Sequence, residues 1–182
     1  MRIISGSLKG RNFESVPGHR THPMGEKIRG ALFNALGDIN GLTVLDAYSG
    51  TGALTFEAIS RGATSAIALD CDTKAQKVIE ANIETMEVEE RVQAIRVFAH
   101  AWSRRHPSMR FDIVLLDPPY DAIEPKDLLG LTKHAKKGGI IVLSLPPDSG
   151  FKLASSRQEL LLEKSYGDAE LYFYRQLQPV DE

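Results

Sequence analysis

The chain has 182 residues, 42% of them apolar and 25% charged, which suits one globular domain with a core of its own and at most a small appendage, and excludes two full domains. No apolar run approaches the ~20 residues of a membrane helix, and Met1-Arg2-Ile3-Ile4-Ser5-Gly6 lacks the apolar stretch of a signal peptide, so a cytoplasmic protein is expected. The single cysteine, Cys71, cannot form an internal disulfide, no Cys/His cluster has metal-ligand spacing, and the net charge of −2 argues against indiscriminate coating of nucleic acid.

Taken in chain order, Arg2-Ile3-Ile4 and Arg11-Asn12-Phe13 flank Gly6 and Gly10 and predict a short β-hairpin, followed by a loop through Pro17-Gly18 and Pro23. Residues 1–25 are read as this appendage and 26–182 as the main domain. The first 29 residues carry Arg2, Lys9, Arg11, Arg20, Lys27 and Arg29 against Glu14 and Glu26, a formal +4 that leaves −6 for the rest, with His19 and His22 beside them. A solvated basic arm would look the same. From Glu26, residues Ile28, Ala31, Leu32, Ala35 and Leu36 fall at helical spacing, and Gly37 stops the helix.

Thr43-Val44-Leu45-Asp46 predicts a strand ending in an acid, Tyr48-Ser49-Gly50-Thr51-Gly52 a turn, and Ala53 to Arg61 a helix. A second strand, Ser65 to Leu69, ends at Asp70; a helix over Thr73 to Thr85 and a strand over Val92 to Phe98 follow. Phe111 to Leu116 is a fourth strand closed by Asp117-Pro118-Pro119-Tyr120, Lys126 to Lys136 a helix, and Ile140 to Leu145 a fifth strand. Strands near Leu160 to Lys164 and Leu171 to Arg175 complete the chain. Apolar strands alternating with helices describe an α/β fold, a parallel sheet covered on both faces. Tyr166-Gly167-Asp168 is too short for a parallel crossover, so at least one of the last strands runs antiparallel.

Ligands of such sheets bind beyond the carboxyl ends of the strands, where the chain order reverses. Three strands end there in acids: Asp46, Asp70 and Asp117. Gly50 and Gly52 let backbone approach a ligand closely, and Asp70 is placed to accept hydrogen bonds from ribose hydroxyls, which points to a nucleoside. A dinucleotide site would want a small residue where Thr55 stands, and Asp46 would repel its pyrophosphate. S-adenosylmethionine, with a sulfonium and an ammonium against one carboxylate, suits an acid beside the loop.

Asp117-Pro118-Pro119-Tyr120 answers a specific chemical difficulty. An aryl amine is a poor nucleophile because its lone pair is delocalised into the ring, so attack on a sulfonium methyl requires the nitrogen to pyramidalise while its N–H groups stay bonded. The Asp117 carboxylate accepts one N–H, the Pro118 carbonyl, stiffened by two rings, accepts the other, and Tyr120 stacks on the base. Transfer then needs chiefly in-line positioning. The competing explanation is a rigid turn after a buried strand.

With these residues in view the chain resembles the bacterial 16S ribosomal RNA (guanine-N2)-methyltransferases, within the Rossmann-like methyltransferase superfamily. The similarity runs through Arg2-Ile3-Ile4-Ser5-Gly6, Lys9-Gly10-Arg11, Lys27 to Asn34, Val44 to Leu54, Glu57-Ala58, Ser60-Arg61-Gly62-Ala63, Asn82, Phe111-Asp112, Asp117 to Tyr120, Tyr166-Gly167 and Leu171-Tyr172-Phe173-Tyr174. The resemblance implies a seven-stranded sheet whose last strand is inserted antiparallel. It places the methyl donor over Asp46, Tyr48, Ser49, Gly50, Thr51 and Gly52, with Asp70, Cys71, His100 and Ala101 around it, and the base at Asp117 to Tyr120. It implies ribosomal RNA as partner, within the small subunit or an assembly intermediate, and a monomeric enzyme. By the same analogy Lys9, Arg11, Arg20, His22 and Arg29 would meet RNA, and the target guanine would be flipped out of its stack.

The chain departs from the family's pattern at His22-Pro23-Met24-Gly25, where Arg-Pro-Thr is usual, and at Gly30, where an acid is usual. It also offers His100 in Phe98-Ala99-His100-Ala101 where an adenine-binding Asp is common. His100 accepts that bond as a neutral imidazole, the backbone makes it instead, or the residue is a surface histidine. Three other readings stay open: an amino-methyltransferase of adenine or cytosine in DNA or RNA, a nicotinamide-dependent oxidoreductase, and a non-catalytic RNA-binding assembly protein.

Overall fold

A computed structural model describes residues 1–16, 24–147, 149–153 and 156–178. Seven strands, β1 (Thr43–Asp46), β2 (Ser65–Asp70), β3 (Val92–Arg96), β4 (Phe111–Leu116), β5 (Ala135–Leu145), β6 (Gln158–Tyr166) and β7 (Ala169–Gln176), form one sheet in the order β3-β2-β1-β4-β5-β7-β6. Neighbours from β3 through β5 are parallel, and β7 is antiparallel to both β5 and β6. The chain moves outward from β1 through β2 to β3, then returns to lay β4 against the other side of β1. That reversal opens a crevice between β1 and β4 at their carboxyl ends.

The strands' period of two divides the apolar residues between two layers. Val44, Ile113, Leu115, Val142 and Phe173 pack on the side of α1 (Glu26–Leu36), α2 (Ala53–Ser60) and α3 (Thr73–Met86). Leu45, Val114, Leu116, Leu143 and Tyr172 pack on the side of α4 (Ala99–Arg105) and α5 (Pro125–Leu131). Helix ends follow local chemistry: Gly37 closes α1 at φ 76° with its N–H on the Phe33 carbonyl, and Asp72 caps α3 by accepting from the amides of Lys74 and Ala75.

Three expectations need correction. The helix over Lys126 to Lys136 ends at Leu131, gives one 3-10 turn at Thr132–His134, and is already strand at Ala135. The cause is His134, whose Nδ1 bonds the Met109 carbonyl at 2.9 Å and whose Nε2 meets Ser103 Oγ at 2.8 Å, pulling the turn onto the α4 side. The third strand ends at Arg96, and the next residues turn into α4, anchored by the buried Trp102. The N-terminal hairpin path is present but has one antiparallel bridge, Arg2↔Asn12, in place of paired strands.

Residues 1–16 are joined to the main core. Ile3 and Phe13 are buried in the same apolar cluster as α1, α2 and α3. Glu57, fully buried on α2, accepts from the amides of Ile4 at 2.9 Å and Ser5 at 3.1 Å and from Arg61 Nε at 2.8 Å, and lies 3.6 Å from Arg29 Nε. Gly6, at φ +88°, sits so close to α2 that a Cβ would fall 1.8 Å from the Ser60 carbonyl oxygen, which explains the glycine.

Burial holds His134 neutral, its pKa lowered to about 4. Because that lies below the unfolded value, the associated stability is complete above about pH 6.5 and is lost as pH falls toward 4, on the order of 3 kcal/mol. Urea unfolding of wild type and His134→Gln at several pH values checks this. The stability gap between them should shrink by about that amount from pH 7 to pH 4, and a constant gap would contradict it.

Candidate active site

Register brings the three strand-end acids to one edge. Asp46 pairs with Leu115 and Ala68 across β4 and β2, so Asp117 and Asp70 each lie two residues beyond their partner on the strands flanking β1. The glycine loop arches from Asp46 over this edge into α2, with Gly50 at φ 51° and Gly52 at φ 86°. A Cβ at Gly52 would lie 2.5 Å from the Phe56 ring, so the loop lies flat on α2.

Three amides of the loop are taken up by protein acceptors. The amide of Ser49 bonds the Leu69 carbonyl, that of Gly50 bonds Asp70 Oδ2, and that of Gly52 bonds the Ser49 carbonyl. A pyrophosphate cradle needs such amides free. The commitment of these three to protein acceptors fits a ligand held mainly by acceptors.

Asp70 accepts Gly50 N on one oxygen and Asp72 N on the other, both at 2.8 Å, tying β2 to the loop and to the cap of α3. It is partly exposed, and each carboxylate oxygen keeps a second lone pair for a ligand hydroxyl. Asp46 is 0% exposed, its Oδ2 accepting from Thr55 Oγ1 at 2.7 Å and its Oδ1 without a well-formed hydrogen bond among the described residues, though the Tyr48 amide lies close enough to favour its ionised form. Burial first, then the nearby Asp117 and Asp70 charges, raise its pKa to about 7. Asp46, expected beside the loop as an attraction for the donor, lies beneath it. Thr55, read above only as a departure from a dinucleotide fingerprint, is its partner.

Asp117 leaves β4 partly exposed, its pKa raised to about 6 by burial; the Ser144 hydroxyl, alongside without a well-formed hydrogen bond, works the other way. Asp117 and Ser144 share a narrow crevice with Met24, Leu32, Leu54, Leu115, Leu116 and Val142. The Pro119 carbonyl accepts from Ala122 N, whereas no hydrogen bond among the described residues takes up that of Pro118. Tyr120 is 42% exposed. Burial raises its pKa and drives that of Tyr48, at the loop entrance, up to about 12, so both rings are neutral phenols near pH 7.

Of the other expected donor contacts, Ser49 and Thr51 are buried in the loop, Cys71 is an exposed free thiol, and Ala101 is partly buried in the first turn of α4. His100 reaches Asp127 of α5 through Nδ1 at 3.1 Å, and the 60%-exposed Phe98 stacks on its ring. Ser144, Met24 and Phe98 were missed. Ser144 was legible as the single polar residue in Ile140 to Leu145, whereas Met24 reaches the site only through the packing of α1.

The expected RNA contacts divide sharply. Arg29 is 0% exposed, donates to the Met24 and Arg2 carbonyls and pairs with Glu57, so its assignment to phosphates is corrected: it is a structural cation. Arg11 donates to the Thr85 and Met86 carbonyls at the end of α3 and lies 3.6 Å from Glu87. Lys9 is exposed, and Arg20 and His22 lie outside the described residues. Among the described residues no group of three His, Cys, Asp or Glu is placed to hold a metal ion, and no helix is long and apolar enough to cross a membrane.

Comparison with known proteins adds the lineage. A profile of the family described as "Conserved hypothetical protein 95" matches residues 1–175. A Bacillus subtilis protein named "Putative rRNA methyltransferase YlbH" is 35% identical over 173 residues, 92% of this chain and 89% of that one. "Ribosomal RNA small subunit methyltransferase D" of Buchnera aphidicola is 34% identical over 137 residues, 74% and 70% of the two chains. The solved structure titled "Putative methyltransferase yhhF from Escherichia coli" superposes with a TM-score of 0.84 at 24% identity, covering 97% of this chain and 98% of that one, a likeness of fold.

Proposed function

This chain belongs to the Conserved hypothetical protein 95 family, and from that membership we propose that it methylates the exocyclic N2 amino group of a guanine in small-subunit ribosomal RNA. The donor is S-adenosyl-L-methionine, which when bound supplies a sulfonium-activated methyl group. The residues fit it: Asp70 keeps lone pairs for a ribose, Gly50 has no atom within 4 Å of where a Cβ would stand, and the Asp46 carboxyl under the loop supplies a negative field in its ionised form, which the donor's positive charge favours.

The observation that carries the proposal is the placement of Asp117 and the free Pro118 carbonyl beside the glycine loop, on the strand adjoining β1. Two acceptors there hold an amine by both N–H groups and leave its lone pair directed at the neighbouring strand end. On methyl transfer the ionised Asp117 carboxylate would take the proton that the amine gives up. Tyr120, neutral and half-exposed, covers the base. Lys9 meets phosphate, while Arg29 and Arg11 hold the N-terminal segment in place. The enzyme acts as a monomer on RNA whose target base has left its stack.

Incubating the protein with labelled donor and small-subunit ribosomal RNA, digesting to nucleosides and identifying the product by mass spectrometry tests the reading. N2-methylguanosine is the expected product; methyladenosine or methylcytidine would move the acceptor, and no transfer would defeat the proposal.

Asp70 has two duties, donor contact and loop brace. Asp70→Ala should weaken binding of S-adenosylhomocysteine by roughly 1–3 kcal/mol in calorimetry, the cost of leaving polar groups unpaired. Unchanged affinity would remove the ribose role.

A further inference from the structure

We infer that a second RNA-contacting surface lies at the edge of the sheet opposite the active site, formed by Arg104 and Arg105 at the end of α4, Arg110, and Lys133 of the 3-10 turn. The inference rests on the RNA substrate proposed above and extends where that RNA reaches.

The four cations belong to two segments that pack together. Residues 98–111 and 128–134 contain no aspartate or glutamate. They are joined by His134, whose Nδ1–H donates to the Met109 carbonyl and whose Nε2 accepts from the Ser103 hydroxyl, and by Trp102, whose ring lies 5.0 Å from that of His134 and 4.8 Å from that of His106. The platform is therefore rigid. Lys133 and Arg110 both act on His134 against its protonation, as two cations close to the same ring do.

No ion pair among the described residues involves any of the four. Three of the N-terminal cations differ: Arg2 is paired with Glu26, Arg11 with Glu87 and Arg29 with Glu57. The four cations gather +4 on a chain whose net charge is −2, a local excess that attracts an anion to this face. Basic residues also complement the dipole at the end of α4, but that accounts for neither Arg110 nor Lys133, which lie outside the helix. The polyanion that the active site requires is the ligand whose charge matches.

Seven residues separate Arg110 from Asp117 along β4, about 23 Å at the rise of an extended strand. Contacts this far from the flipped base grip phosphates of a folded RNA and not the target nucleotide's own neighbours.

The test is the triple variant Arg104→Gln/Arg105→Gln/Lys133→Gln, which leaves Arg110 on its Pro107 and Met109 carbonyls. Fluorescence anisotropy with an in vitro transcript of small-subunit ribosomal RNA, at several salt concentrations, should show the slope of log affinity against log salt reduced by about two, at roughly 0.7 per lost phosphate contact. KM for the transcript should rise with kcat unchanged, while melting temperature and S-adenosylhomocysteine affinity stay at wild-type values. Arg104→Lys/Arg105→Lys/Lys133→Arg should restore the slope. In wild type, RNA should protect Lys133 from amine-reactive labelling, a readout that needs no variant to fold. An unchanged slope, or equal labelling of Lys133 with and without RNA, overturns the proposal. Binding is read without turnover, so an RNA that binds and is not methylated defeats the function proposed above and leaves this test in force.

Discussion

Asp117→Ala should lower kcat for methyl transfer about a thousandfold, the scale of losing one oriented group at a reacting atom, while leaving donor affinity within about twofold of wild type. The asymmetry follows from position: Asp117 stands at the end of β4, while the donor-facing loop is held by Leu69 and Asp70 of β2. Asp117→Asn keeps a carbonyl that accepts one N–H and should retain part of the activity. Because burial raises the Asp117 pKa to about 6 and the ionised form is the acceptor, wild-type kcat should rise as pH passes upward through about 6 and then level off. The asparagine variant should lack that step. Stability runs the other way. A folded pKa above the unfolded one gives stability that is complete below the unfolded value and is lost as pH rises through about 6, so Asp117→Asn should be at least as stable as wild type above that pH. Transfer by Asp117→Ala at a rate near that of wild type would remove the carboxylate from the reaction.

Glu57→Ala should produce the largest loss of stability, about 3–5 kcal/mol, the cost of removing one partner from a buried charge pair. It leaves the wholly buried Arg29 guanidinium without its counter-ion and the amides of Ile4 and Ser5 without acceptors. In a chain of this size that corresponds to a fall in melting temperature of roughly 10 °C. Arg61→Ala makes the comparison, since Arg61 is partly exposed and its removal leaves Glu57 held by Arg29 and two amides. It should cost about 1 kcal/mol. Proteolysis should then cut the N-terminal segment in Glu57→Ala and spare it in Arg61→Ala. Equal melting temperatures for the two variants would show that the carboxylate does not organise this corner.

Much of this was legible residue by residue. Alternating apolar strands and helices, Gly37 as a helix stop, the three acids at strand ends, the glycine loop and Asp117 to Tyr120 were all readable, because each depends on neighbours within a few positions. The errors share one cause. Nothing near Lys126 to Lys136 announces that His134 will be drawn to a carbonyl 25 residues away, and the Arg29 side chain looks like any surface cation until α2 brings Glu57 against it. The +4 of the first 29 residues appeared to be a basic arm, yet three of its cations have carboxylates beside them in space, one of them more than 70 residues further along.

What the sequence by itself determined is the class of sheet, most of the order of elements, α4 excepted, and the gathering of a glycine loop and three acids at strand ends, since strand period, turn residues and strand-end acids are local properties of the chain. Only the tertiary structure decided which charges face solvent and which face each other. Charge pairing depends on distances across the fold, and burial sets whether a carboxylate stays accessible at the surface, as Asp70 does, or lies under a loop, as Asp46 does.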